Sequence, residues 1–194
     1  FKPNLMISKK PFKLITTASA DVPLKGLDFT LRAIAIAKDK YPLINLVVIG
    51  KPRSGGHTER LISKLGIDEF VSFKTNLTNQ EVSDEYASSQ IAIVSSLYEG
   101  FGFPVGEAMA CAVPLIATDV ASIPEITGPY AEMITPESHE DIFNSLDNIF
   151  QSYDHYMEKA NLGRDHILQN FSWSVIANSY IDHISSILTS HADI

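Results

Sequence analysis

Residues 91–111 read IAIVSSLYEGFGFPVGEAMAC. The stretch opens on Ile91 to Ser95, a short run of apolar and β-branched residues with the composition of a buried strand. It closes on Val105 to Cys111, a short helical segment. Gly100, Gly102 and Pro104 lie between the two. An apolar strand that feeds a turn and then a helix is the repeating unit of a parallel sheet, because parallel neighbours need a crossover. The first N–H groups of that helix lack internal partners and carry partial positive charge, so the turn suits an anion such as phosphate. Its glycines let a ligand approach the backbone closely.

The unit recurs on both sides of this stretch. FKLITT (12–17), INLVVI (44–49), FVSF (70–73) and PLIAT (114–118) are further short apolar strands. Helices are expected from Leu27 to Lys38, from a Thr58 cap to Leu65, and from the Thr78–Glu81 capping box to about Ser88. Ile123 to Gly128 reads as a turn or a short helix. After Met133 and Ile134 the alternation stops. Ser138 caps one helix, a second runs from Tyr153 to Gln169, and Ser172 caps a third. That third helix carries Trp173, Ile176, Tyr180, Ile184 and Ile187 on one side, read as packing. The expected architecture is a single α/β domain over residues 1–194, a mostly parallel sheet between two helical layers, with C-terminal helices from 138. Such sheets bind ligands at the carboxyl ends of their strands, near the switch in strand order. The loops to watch therefore begin at Ser19, Lys51, Lys74, Ser96 and Asp119.

Composition narrows the classes. The chain has 194 residues, 45% of them hydrophobic and 20% charged, as in an ordinary globule with its own core. With 15 basic and 23 acidic side chains the formal net charge is −8, which argues against a nucleic-acid partner. The single cysteine, Cys111, excludes an internal disulfide and a cysteine-built zinc site, and it fits a reducing compartment. No apolar run reaches the ~18 residues that span a bilayer. The opening Phe1-Lys2-Pro3-Asn4 has no initiator Met, and the chain is expected to be cut from something larger.

Two acids frame the central turn. Glu99 leaves the strand and Glu107 follows eight residues later, at the start of the helix. An ionised carboxylate accepts from two hydroxyls at once, so this pair suits a sugar and a ribose. Ordinary readings exist too: a helix-dipole acid for Glu107 and a solvated loop acid for Glu99. Gly100, Gly102 and Gly106 also imitate a dinucleotide fingerprint, with Asp119 where a ribose acid would stand. That fingerprint normally follows the first strand of its fold, and here it follows the fourth, with Pro104 inside the turn.

The run EGFGFPVGEAMACAVPLIATDVASIPEITG, Glu99 to Gly128, resembles the donor-binding signature of retaining glycosyltransferases of family 4, which have the GT-B architecture. The resemblance extends to Pro23-Leu24-Lys25-Gly26-Leu27 and to Phe171-Ser172-Trp173. It implies a Rossmann-like, three-layer α/β/α domain, the second half of a GT-B enzyme, whose N-terminal acceptor domain is absent. It implies a UDP-, GDP- or ADP-sugar as donor, with no other cofactor and no obligatory metal. No Asp-x-Asp motif is present. By the resemblance Glu107 holds the ribose hydroxyls and Glu99 contacts the transferred sugar. Gly100, Phe101, Gly102 and the amide of Phe103 form the turn against sugar and diphosphate. Lys25 neutralises the diphosphate and eases its departure. The family's arginine, five or six residues before that lysine, is replaced by Ala20 and Ser19. Lys51 or Arg53 is then the candidate second cation. The protein is expected in the cytoplasm, any peripheral membrane contact coming from the absent domain.

Other readings stay open at this point: a binding module that kept the fold and lost catalysis, a nucleotide-sugar epimerase, a phosphorylase or an NAD oxidoreductase. His57 and His139 read as solvated, Cys111 as core, and Tyr98 as a residue flanking the site.

Overall fold

The computed structural model describes residues 1–190. Six parallel strands form one sheet: β1 Lys13–Thr17, β2 Asn45–Ile49, β3 Val71–Lys74, β4 Ile91–Val94, β5 Leu115–Thr118 and β6 Glu132–Ile134. Their order is β3-β2-β1-β4-β5-β6. The helices are α1 Leu27–Lys40, α2 His57–Leu65, α3 Asn79–Ala87, α4 Phe103–Ala110, α5 Ile123–Thr127, α6 His139–Gln151, α7 Tyr153–Phe171 and α8 Trp173–Ser190. Among the described residues no helix is long and apolar enough to cross a membrane.

The strands are apolar throughout because both of their faces are covered. Along β1, Leu14 turns to one helical layer and Ile15 to the other, and both are fully buried. Leu14, Leu46, Val48, Ile93 and Ile116 pack with α1, α2 and α6. Ile15, Ala92, Val94, Leu115 and Ala117 pack with α4, α5, α7 and Tyr86. Each fully buried Leu or Ile side chain contributes about 1.5–3 kcal/mol. Truncating Ile93 or Ile116 to Ala would cost about 2–5 kcal/mol, since neither layer can close over the hole.

Several boundaries differ from the sequence reading, each for a local reason. β6 is an additional strand, a three-residue edge in which only Ile134 is buried, too short to show a period. α2 starts at His57 after Gly56, so Thr58 is not its cap. Its N-terminal amide is satisfied from a distance: Thr58 N donates to Asp21 Oδ1 at 2.8 Å. α4 begins two residues earlier than expected, at Phe103, because Gly102 adopts φ 84° and lets the chain turn directly into the helix. Glu107 thus sits one turn in, beyond the reach of the first free amides. The Thr78–Glu81 box forms as expected, with Thr78 N donating to Glu81 Oε2 at 2.7 Å and Glu81 N to Thr78 Oγ1 at 3.3 Å. Ser138 caps α6 through a bond from Asp141 N at 3.1 Å. On α8 most of the stripe departs from the expected packing: Trp173, Tyr180 and Ile184 are 82%, 68% and 54% exposed, while Ile176 is half-buried.

Candidate functional site

Strand order reverses between β1 and β4. β1 leads through α1 to β2 on one side, and β4 leads through α4 to β5 on the other. The loops leaving β1 and β4 therefore diverge above a crevice at the carboxyl edge, where open α/β sheets take their ligands.

Hydrogen bonds to the main chain lock these two loops together. Leu97 N donates to Leu24 O at 2.8 Å, and Ser95 Oγ donates to Gly26 O at 2.9 Å. Gly26 has φ 62°, and a Cβ there would lie 1.8 Å from Ser95 O. Only glycine fits, on conformational and steric grounds alike. Just before it, Pro23–Lys25 forms a single 3-10 turn with Pro23 at its start. The outcome is that Lys25, at the end of this turn, stands beside the end of β4. Lys25 Nζ donates to Glu99 Oε1 at 2.7 Å. Ser96 Oγ donates to the same oxygen at 2.7 Å. The loop carrying Glu99 is steadied from the β5 side, where Thr118 Oγ1 donates to Ser96 O at 2.5 Å and Ser122 Oγ to Glu99 O at 3.3 Å.

The loop after β1 is tied on its other flank to the loop after β2. A Cβ on Gly50 would lie 2.1 Å from Ala18 O. Asp21 accepts from Arg53 N and from Thr58 N, both at 2.8 Å. Burial pushes the Asp21 carboxyl up, but these amide bonds outweigh it and hold the group below its ordinary value.

The first turn of α4 stands between two depressions. One, of about 430 Å³, is lined by Thr17, Ser19, Lys25, Gly50, Lys51 and Pro104. Of the two candidate second cations, Lys51 shares this wall with Lys25. Arg53 does not line it, and its amide is engaged by Asp21. The other depression, of about 640 Å³, is apolar and includes Phe101, Phe103, Glu107, Phe171 and Trp173. Lys25 and Glu99 are thus joined directly. Glu107 faces the second depression, and its Oε2 lies 3.5 Å from the hydroxyl of buried Tyr86. Burial raises the Glu107 carboxyl above its ordinary value, the Tyr86 hydroxyl partly opposing this. Tyr86 OH also meets Thr17 Oγ1 at 2.9 Å, so a polar link runs beneath α4 from one depression to the other.

A family model described as glycosyl transferases group 1 matches residues 4–165. The chain belongs to that family. Among curated relatives, the MMP alpha-(1->4)-mannosyltransferase of Mycolicibacterium hassiacum is 34% identical over 168 residues, 85% of this chain and 41% of that protein. This group 1 chain spans about 37–41% of the length of the first curated relatives it matches. The solved C-terminal domain of a glycosyl transferase group 1 protein from Francisella tularensis superposes with TM-score 0.76 and 24% identity, covering 89% of this chain and 96% of that one. An Anabaena protein solved in complex with UDP gives TM-score 0.79 at 20% identity, covering 89% of this chain and 48% of that one. The fold is the three-layer α/β/α arrangement of GT-B glycosyltransferases.

Within this group 1 domain the remaining sequence candidates line neither of these two depressions. His57 Nε2 pairs with Asp28 Oδ2 at 2.6 Å, and His139 with Glu140 at 3.2 Å. Cys111 is buried core, its sulfur 3.6 Å from Ser83 Oγ. Tyr98 is 62% exposed on the Glu99 loop. Sequence reasoning missed Asp21, Ser96, Thr17 and Tyr86. Ser96 lies three residues before Glu99 and was readable as its neighbour. Tyr86 is 69 residues from Thr17 and 21 from Glu107, and no spacing rule links them.

Proposed function

We propose that this chain is the C-terminal, donor-binding domain of a retaining glycosyltransferase of family 4, which moves a sugar from a nucleoside-diphosphate sugar to an acceptor held by a preceding domain. The observation that carries this reading is the Lys25 ammonium set 2.7 Å from the Glu99 carboxylate at the switch point, beside the start of α4. The ammonium and the Phe103 amide at the start of α4 suit a diphosphate, and the carboxylate suits sugar hydroxyls. Ser19 and Lys51 line the same depression and extend the anion-facing wall. Glu107, one turn into α4, takes the ribose hydroxyls. The mannosyltransferase relative and the UDP-bound neighbour agree with a nucleotide-sugar donor. A single free thiol suits a reducing, cytoplasmic setting.

In the reaction, the bond between the sugar's anomeric carbon and the phosphate oxygen breaks, and its electron pair stays on that oxygen. Lys25 and the Phe103 amide stabilise the charge that develops there. The acceptor hydroxyl forms the new bond on the face the diphosphate leaves and passes its proton to the departing phosphate oxygen. Before this, the donor must displace an internal contact, the bond from Lys25 to Glu99. Diphosphate draws Lys25 away, and the released Glu99 oxygen turns to the sugar.

Calorimetric titration of this chain with UDP, GDP, ADP and their sugars tests the reading. One nucleoside diphosphate should bind in the micromolar to millimolar range, and Lys25→Ala should weaken it. Silence at millimolar ligand from all three bases would overturn the assignment.

A further inference from the structure

Tyr86 has no part in the reading above, yet it is the largest fully buried side chain of the domain. It sits in the last turn of α3, and its ring lies in the core formed with Val105, Ala108 and Met109 of α4. Its hydroxyl faces three oxygens: Thr17 Oγ1 at 2.9 Å, Pro104 O at 3.5 Å and Glu107 Oε2 at 3.5 Å. A phenol has one proton to give. Thr17 Oγ1 is the near partner and is itself a donor, which leaves the phenolic proton for Pro104 O or the carboxylate, and of these two equidistant acceptors the charged one is the stronger.

We propose that Tyr86 is a positioning residue for Glu107: its hydroxyl, oriented by Thr17, fixes one carboxylate oxygen beneath α4 and leaves the other to take the ribose hydroxyls of a nucleotide. The proposal rests on the nucleotide-sugar reading of this site. The surroundings of Glu107 make such a partner necessary. α7 and α8 face it with Ile167, Leu168, Phe171 and Ile176, none of them titratable. The titratable groups that influence it are Tyr86 and, one turn on, Cys111. A carboxylate in an apolar wall needs a donor to stay ionised and to keep one rotamer. Without the Tyr86 proton it would be both more easily protonated and free to rotate into the groove.

The test compares ribose recognition with phosphate recognition on the same chain. The probes are whichever of UDP, GDP and ADP binds tightest, its 2′-deoxy counterpart, and inorganic pyrophosphate. Wild type should prefer the ribonucleotide. Tyr86→Phe keeps the ring and removes only the hydroxyl. It should weaken the ribonucleotide about tenfold, the size of one hydrogen bond to a charged group, with pyrophosphate unchanged. The ribo-to-deoxy preference should be lost on acidification, because ribose binding needs the ionised form of Glu107. In Tyr86→Phe that loss should move to higher pH. A purely structural role would lower the melting temperature and leave both the preference and its pH profile in place, and that result would overturn the proposal. Thr17→Val covers the case in which Tyr86→Phe does not fold, and it should shift the preference the same way by a smaller factor. An unchanged or enhanced preference in Thr17→Val would also overturn it. If no ribonucleotide binds wild type, the functional reading falls and takes this one with it. If ribonucleotides bind and the variants match wild type, only the positioning role falls.

Discussion

Two of the lysine–glutamate pairs among the described residues, Lys13–Glu85 and Lys25–Glu99, are built differently. At the start of β1, Lys13 Nζ reaches Glu85 Oε2 at 2.8 Å, Ser88 Oγ at 2.5 Å and Glu85 O at 3.5 Å. Lys74 closes on the other oxygen of Glu85. Every proton of the Lys13 ammonium has an acceptor, and both oxygens of Glu85 are engaged. Above the carboxyl edge, Lys25 gives one bond, to an oxygen of Glu99 that Ser96 also uses, and its side chain is 30% exposed. The first pair is saturated and sealed, its side chains only 8% and 16% exposed. The second has donors to spare and an open side. A saturated pair can only hold. An unsaturated pair at a switch point can be exchanged for a ligand.

The sharpest way to break this contrast is to remove Glu85. Glu85→Ala leaves two ammonium groups facing each other and should cost about 3 kcal/mol or more in a denaturant titration, as for any half-removed buried pair. Nucleotide affinity should stay near wild type. Lys25→Ala should do the reverse. Its stability change should fall within about 1 kcal/mol, because the pair is partly exposed, while affinity for a nucleoside diphosphate drops about tenfold, the size of one charge-assisted bond. Glu99→Gln sharpens the comparison by sign. With its competitor gone, Lys25 is free for phosphate, so a nucleoside diphosphate without sugar should bind up to about fivefold tighter, the scale of a partly exposed ion pair. The corresponding nucleotide sugar should gain nothing or bind more weakly. Equal weakening of both ligands would mean that the pair is not exchanged.

The smallest effect is the acid limb. Burial pushes the Glu85 carboxyl up, but Lys13 and Lys74 outweigh it and hold it below its ordinary value of 4.5. A depressed carboxyl contributes stability above its unfolded value and loses it as pH falls through the folded one. Stability should therefore fall below pH 4.5, and Glu85→Gln should flatten that slope. An unaltered slope would place the acid sensitivity elsewhere, with Asp147, held low by Lys40 and Tyr41, as the next carboxylate to remove.

The sheet was legible because its strands are buried on both faces and so read as unbroken apolar runs. β6 escaped because Glu132 and Met133 stay partly exposed on an edge strand, leaving one buried residue and no pattern. Glu99, Lys25 and Glu107 were each nameable from the sequence, through their motifs. Their mutual arrangement was not. Lys25 and Glu99 are 74 residues apart and meet through Gly26 and Ser95, a steric fact that no local pattern encodes. The α8 stripe misled in the other direction. Its spacing says apolar face, but which surface would cover such a face is not written in the helix itself.

Gly26 and Gly50 have one more implication. They let the β1 loop pack against the main chain of the turns on either side, and the side chains that tie it there are Ser95 and Asp21, so the frame does not depend on Ser19 or Lys51. Ser19 and Lys51 point from a scaffold that would survive their replacement. Randomising those two positions should retune which phosphorylated compounds the crevice admits while leaving the melting temperature almost untouched, a convenient starting point for directed evolution.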